Sequence, residues 1–266
     1  MTSSILLPSL QLARRPSPVR LTGPHAFRKL AATPSARSGC LKSYSTATSP
    51  SSKPLLLYTA GTPNGRKASI YLEELKAQYG LAYDVHRVDF KTAEQKRPWY
   101  LALNPNGRIP TLVDRNRPSR TLPTAGGAAQ EKGFAVFESA AILLYLAQHY
   151  DTQRKFAFDA RQRPEEWSEM LQWMFFAHGG IGPMQGQGYL EETKRLYGVL
   201  NVRLAGREWL AGPGQGKYSI ADINAFPWVN AYSFAGIETL DEWPNVKAWI
   251  ERLSERPAVK AGLQVP

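Results

Sequence analysis

From Leu55 onward the chain alternates short apolar runs with longer stretches of helical period. Leu55-Leu56-Leu57-Tyr58 is apolar at every position and is cut off by Thr59-Ala60-Gly61-Thr62-Pro63, the pattern of a short buried strand. Gly65 to Gly80 has helical spacing, with Ile70, Leu72 and Leu75 inward and Gly80 just past the end, where a left-handed residue closes a helix. Tyr83-Asp84-Val85-His86-Arg87-Val88 alternates as a second strand, and Glu94 to Leu103 predicts a short helix ended by Asn104-Pro105. Thr111-Leu112-Val113 and Phe134-Ala135-Val136-Phe137 flank a long loop rich in Arg, Pro, Gly and Ala and are expected to pair as a hairpin. Glu138 to His149 reads as a closing apolar helix.

Residues 150–163 are polar and end in Pro164, which suggests a linker. Beyond it the pattern is helical throughout. Pro164 to His178 takes Pro at its first position, Leu190 to Gly206 follows, and Trp243-Pro244-Asn245 starts a last helix expected to stop at Pro257. Ser219-Ile220-Ala221-Asp222 is a capping box variant, with Tyr218 and Ile223 placed as a hydrophobic staple. That pattern assigns Asp222 to structure and not to acid catalysis; an N-cap lost to Ala costs ~1 kcal/mol. The strand and helix order, βαβ then ββα, is that of a thioredoxin-like domain. The predicted fold is therefore an α/β thioredoxin-like domain over 55–150 and an all-α domain over 164–266.

Charge changes the picture only once it is located. The 266 residues carry a formal +11. Eight of the basic residues, from Arg14 to Lys53, fall in the first 54 positions, which hold no acid; subtracting those eight leaves +3. The predicted globular part is nearly balanced, so bulk charge makes no case for nucleic acid. The Arg- and Ser-rich, acid-free stretch 1–54 has the composition of an organellar transit peptide, pointing to the mitochondrial matrix; an unaddressed tail, leaving the protein cytoplasmic, is the alternative. Its apolar segment, Ser4 to Ala13, is too short and too interrupted by Pro8 to cross a membrane. Cys40 is the single cysteine and lies in this leader, so the predicted fold has no cysteine nucleophile, disulfide or thiolate metal site. The four histidines are scattered without metal-pair spacing, and no metal is expected. Any thiol chemistry must use a thiol brought in by a ligand.

Candidate chemistry lies at three junctions. Thr62-Pro63-Asn64-Gly65 joins the first strand to the first helix, where free N–H groups and the helix dipole favour a thiolate. The Thr62 hydroxyl and Asn64 amide are suitable donors, and neither is a base. Asn104-Pro105-Asn106-Gly107-Arg108-Ile109-Pro110 leads into the third strand; a cis bond before Pro110 would turn the Ile109 backbone outward to meet an extended peptide. Glu138-Ser139 opens a helix, a site for a carboxylate. Taken singly, each is an ordinary turn or helix start. In this order they describe a receptor for a small peptide with an acidic end.

The combination Asn-Pro-x-Gly-x-Ile-Pro with a later Glu-Ser resembles the glutathione transferase superfamily, from about Leu55 to the C-terminus. Thr62-Pro63-Asn64-Gly65, Gly182-Pro183-Met184 and Trp228-Val229-Asn230 are similar to the nu-class bacterial enzymes and the fungal nitrogen-regulator-like branch, which reduce disulfides with glutathione. The resemblance implies glutathione as co-substrate, a small disulfide or electrophile as its partner, and a homodimer. It implies that Thr62 and Asn64 replace the tyrosine many relatives use, leaving Tyr58 in the core. Ile109 and Pro110 would meet the peptide backbone of glutathione, Glu138 and Ser139 its γ-glutamyl end, and Gln95 its glycyl end, with Lys67 or Arg108 nearby. After Gln187 a family segment carrying an arginine is missing, and Gly188 stands in the arginine's place. That departure keeps open a non-catalytic regulatory or interaction protein of the same fold.

Overall fold

A computed structural model describes residues 53–118 and 133–266. The expected leader lies outside the described residues apart from Lys53 and Pro54, as do Cys40 and most of the loop before the fourth strand. Lys53 and Pro54 are tied to the sheet: Lys53 Nζ donates to the Tyr83 carbonyl at 3.0 Å, and the Arg115 N–H to that of Pro54 at 2.9 Å.

The first half runs β1 (Leu55–Thr59), α1 (Pro63–Tyr79), β2 (Tyr83–Arg87), α2 (Pro98–Leu101), β3 (Thr111–Asp114), β4 (Phe134–Phe137) and α3 (Ser139–His149). The sheet order is β2-β1-β3-β4, with β1 parallel to β2 and antiparallel to β3, and β3 antiparallel to β4. This is the predicted thioredoxin-like arrangement, hairpin included. β1 is apolar throughout because both sheet faces are covered. Leu55 and Leu57 face the main core with α1 and α3, whereas Leu56 and Tyr58 face a second cluster with Val88, Tyr100, Leu103 and Val113. Gly80 closes α1 at φ 69°, as its sequence position required. The single helix expected over Glu94–Leu103 is instead a 3-10 turn, Glu94–Lys96, followed by α2. Pro98 has no N–H to continue a helix and holds Arg97 extended, at φ −72° and ψ 148°.

The second half holds α4 (Pro164–Phe176), a π-helical turn (Ala177–Ile181), α5 (Gly182–Gly186), α6 (Leu190–Arg203), α7 (Ile220–Val229), α8 (Pro244–Glu255) and α9 (Pro257–Gln264). The polar stretch 150–163 is irregular yet packed: Phe156, Ala157 and Phe158 are buried, and Asp151 accepts the N–H groups of Lys155 and Phe156 at 2.8 Å each. Pro257 does not end the helical part, as the pattern suggested. It opens α9, taking the first-turn position that needs no N–H. α9 lies directly on α1: a Cβ on Gly262 would stand 2.5 Å from the Ile70 Cα, and Ser69 Oγ donates to the Gly262 carbonyl at 2.8 Å. Glu74 of α1 is held bidentately by Arg256, at 2.8 and 3.0 Å.

The cap of α7 is the polar centre of the helical half. Asp222 is fully buried, and its carboxylate accepts the Ser219 N–H, the Ser219 hydroxyl, the Leu210 N–H and the Trp249 indole N–H, at 3.0–3.3 Å. Burial still pushes its carboxyl up to about 6. The structural role read from the sequence is the observed one, extended to Leu210 and Trp249. Asp222→Ala should cost about 3 kcal/mol in urea unfolding, since three N–H donors lose their acceptor in the core.

Candidate active site

Thr62 caps α1 with an extended backbone, φ −103° and ψ 160°, and its Oγ1 accepts the Gly65 N–H at 3.2 Å. Among the described residues its hydroxyl hydrogen has no acceptor, so it can donate outward. The first turn of α1 contains no acidic residue to offset the positive end of its dipole. Gly65 is required by space: a Cβ there would lie 2.2 Å from the Ala60 carbonyl oxygen. Asn64 Oδ1 accepts the Trp228 indole N–H at 3.0 Å. An indole only donates, so the atom facing it is the amide oxygen, and the Asn64 NH2 is left with both hydrogens. Tyr58, by contrast, is buried against His86, Trp99 and Tyr100, with ring centroids 5.1–5.8 Å away.

The loop before β3 is shaped from within. Buried Asn104 donates from Nδ2 to the Arg108 carbonyl at 2.7 Å and to Thr111 Oγ1 at 3.0 Å, and accepts the Asn106 N–H at 3.0 Å. The Tyr100 hydroxyl reaches the same Arg108 carbonyl at 2.8 Å. The Ile109–Pro110 bond is cis, and among the described residues neither backbone group of Ile109 has a protein partner. Gly107, at φ 60°, crosses so near Gln95 that a Cβ would stand 2.9 Å from its carbonyl oxygen. Gln95 Oε1 is buried without a partner. Thr62, Asn64, Gln95 and Ile109 line one cleft of 470 Å³, completed by Phe90, Arg108 and Trp228. Pro110 is buried and is not part of that lining.

Glu138 and Ser139 do not line that cleft. They form a neighbouring charged site, joined to it through Asn106, whose Nδ2 donates to Glu138 Oε1 at 3.3 Å. Glu138 has φ 69° and ψ 120°, a backbone conformation that costs a non-glycine residue about 1–3 kcal/mol and gathers at functional sites. α3 starts there without a side-chain cap, and the Ser139 hydroxyl, 3% exposed, has no partner among the described residues. Two further groups face Glu138. Lys67 is 1% exposed, and burial lowers its ammonium to about 7 although Glu138 pulls it upward. His178, on the π-helical turn, places Nε2 3.8 Å from Glu138 Oε2; burial, then Lys67, lowers its pKa, and its Nδ1 is buried without a partner. The sequence marked Lys67 only as a neighbour by resemblance and passed over His178, since nothing local signals a contact made 40 positions away. Trp228 was noted as part of a motif, not as a partner of Asn64.

The state of Lys67 sets a pH dependence. The unfolded chain holds that proton up to its ordinary 10.5, the folded chain only to about 7. In between, the unfolded state binds more protons, so this group makes stability rise with pH. Lys67→Met should flatten that rise and raise the melting temperature at pH 7. Calorimetry between pH 6.5 and 9 reads both; an unchanged slope in the variant would place its origin elsewhere.

Comparison with known proteins agrees with this geometry. The model of the glutathione S-transferase N-terminal domain matches residues 62–149, and that of the C-terminal domain matches 187–257. Disulfide-bond oxidoreductase YfcG of Escherichia coli is 40% identical over 224 residues, covering 78% of this chain and 93% of that protein. Glutathione S-transferase 2 of Schizosaccharomyces pombe is 35% identical, covering 76% of this chain and 91% of its own. A glutathione transferase homolog from Lodderomyces elongisporus, solved with two glutathione molecules per subunit, superposes with a TM-score of 0.67 at 35% identity, over 80% of this chain and 99% of that one. With the fold, the cleft and these matches together, the chain belongs to the glutathione S-transferase superfamily, in the branch that holds the nu-class disulfide-bond oxidoreductases and the Ure2p-like transferases.

Proposed function

We propose that the chain is a glutathione-dependent enzyme whose bound glutathione thiolate reduces a small disulfide. One observation carries the reading: Thr62 and Asn64, each with an unused donor, line one cleft at the start of α1, in a chain whose residues 55–266 contain no cysteine. The sulfur nucleophile is then the ligand's. Glutathione thiolate attacks one sulfur of the disulfide, and the electron pair of the broken S–S bond leaves on the other sulfur, which takes up a proton. A second glutathione thiolate attacks the mixed disulfide, giving glutathione disulfide and the second free thiol.

A free thiol has a pKa of ~8.5, and lowering it by about two units requires roughly 2.7 kcal/mol of preferential thiolate stabilisation. Two charge-assisted hydrogen bonds and the α1 dipole are of that size. In this reading Ile109 pairs with the peptide backbone of glutathione and Gln95 with its glycyl end. Glu138, Ser139 and the Lys67 ammonium take its γ-glutamyl end, where an amine and a carboxylate need partners of both signs. Conjugation to an electrophilic carbon is the second reading, favoured by the apolar side chains of Phe90 and Trp228 in the lining of the cleft. Gly188, at φ 74°, stands where the resemblance implies a lost arginine, so glutathione affinity in this reading rests on the remaining groups. We also take 1–54 as a mitochondrial leader and the active form as a homodimer; a fluorescent fusion of residues 1–54 that stays diffuse would overturn the first, and light scattering tests the second.

Turnover of hydroxyethyl disulfide should exceed conjugation of chlorodinitrobenzene, and inactivity in both from folded protein would leave the regulatory reading. Asn64→Ala should cut disulfide turnover at neutral pH by roughly ten- to hundredfold, about 1.4–2.8 kcal/mol, with a smaller change in glutathione affinity. Ser139→Ala should weaken binding more than turnover, and Tyr58→Phe should stay near wild type. A large loss from Tyr58→Phe beside a silent Asn64→Ala would restore a tyrosine mechanism.

A further inference from the structure

The Asn64 side chain can stabilise a thiolate only with its NH2 toward the cleft. An amide side chain has nearly the same shape when flipped by 180°, but the flip exchanges a donor for an acceptor. Turned the wrong way, Asn64 would aim a carbonyl oxygen at a negative sulfur. Among the described residues the Asn64 side chain has one hydrogen bond, from Trp228 Nε1 at 3.0 Å, and an indole N–H accepts nothing. That bond fixes the polarity of the amide.

Trp228 is itself held in place. Its ring lies against the glycines of α5, where a Cβ on Gly182 would stand 3.0 Å from Nε1 and one on Gly186 3.2 Å from Cη2. Buried Gln185 donates to the carbonyls of Trp228 and Ala231 at 2.7 and 2.6 Å, and its own Oε1 accepts the Tyr197 hydroxyl at 3.1 Å. The two glycines admit the ring, and the glutamine fixes the backbone that carries it. The motifs Gly182-Pro183-Met184 and Trp228-Val229-Asn230 thus meet on one side chain.

We propose that Trp228 is a positioning residue that sets the orientation of the Asn64 amide, so that the helical half holds the thiolate donor of the thioredoxin-like half. This rests on Asn64 being the donor. Trp228→Phe keeps an aromatic ring in the glycine-lined slot and removes the N–H. The pKa of bound glutathione, followed by ultraviolet thiolate absorbance, should rise by about one unit. Disulfide turnover at pH 7 should then fall about threefold, the ratio of thiolate fractions for pKa values of about 6.5 and 7.5, with KM changed less than about twofold and most of the loss recovered at high pH. In an Asn64→Ala background the same substitution should add nothing. Gly186→Ala, which presses on the ring without touching Nε1, should shift the thiol pKa the same way by less, and serves if Trp228→Phe does not fold. A silent Asn64→Ala would sink the donor assignment itself. A costly Asn64→Ala with an unshifted thiol pKa in Trp228→Phe, or in Gly186→Ala where that variant serves, would overturn the positioning role and leave the donor standing. Additive losses in the double variant would also overturn it, because Trp228 would then act independently of Asn64.

Discussion

The first three turns of α1 are enclosed by protein, and most of the structure follows from that enclosure. Ile70, Tyr71, Leu72 and Leu75 are all fully buried, each contributing roughly 1.5–3 kcal/mol by leaving water. Packing this close requires glycine where backbones meet, at Gly65 against Ala60 and at Gly262 against Ile70. It also requires a partner for polar groups that cannot face solvent. Ser69 finds the Gly262 carbonyl, and Glu74 finds Arg256. Lys67 finds no hydrogen-bond partner among the described residues, and burial lowers the affinity of its ammonium for its proton. The same enclosure fixes the start of the helix against the β1 loop, and so fixes where Thr62 and Asn64 can point.

What was legible in the sequence was local. The apolar run of β1, Gly80 at the end of α1, the Ser219–Asp222 cap and the Ile109–Pro110 turn each carry their cause within a few residues. Errors came where one residue has two meanings. Pro257 ends one helix and begins another, and Pro98 splits a stretch whose apolar spacing alone reads as continuous. The polar run at 150–163 concealed Phe156 and Phe158, whose burial depends on partners elsewhere in the chain. The same limit held at the site. Thr62, Asn64 and Ile109 are singled out by pattern and Gln95 by resemblance, whereas the bond from Trp228 to Asn64 spans 164 positions and leaves no periodic trace.

The site divides its electrostatic tasks. At the cleft, the neutral donors of Thr62 and Asn64 stand at the positive end of the α1 dipole, with Arg108 and Lys96 also in the lining. At Glu138 one carboxylate faces a buried lysine and a half-buried histidine, both with pKa values lowered by burial, on a backbone held at φ 69°. Asn106 joins the two parts, bonded to Glu138 at one end and, through the Asn104 side chain, to the loop that presents Ile109. Within the site, the groups whose protonation burial shifts therefore gather at Glu138 and not in the lining of the cleft.

The contact between α1 and α9 orders events in time. Ser69 and Gly262 are 193 positions apart, and until α9 docks, the flank of α1 around Ile70 is bare hydrocarbon. On a ribosome the thioredoxin-like half, which ends with α3 at His149, emerges first and must wait, with that flank uncovered, until α9 at Pro257–Gln264 has been made. Over that interval the nascent chain is a client for whatever shields apolar surface, and its vulnerability ends with the arrival of an eight-residue helix.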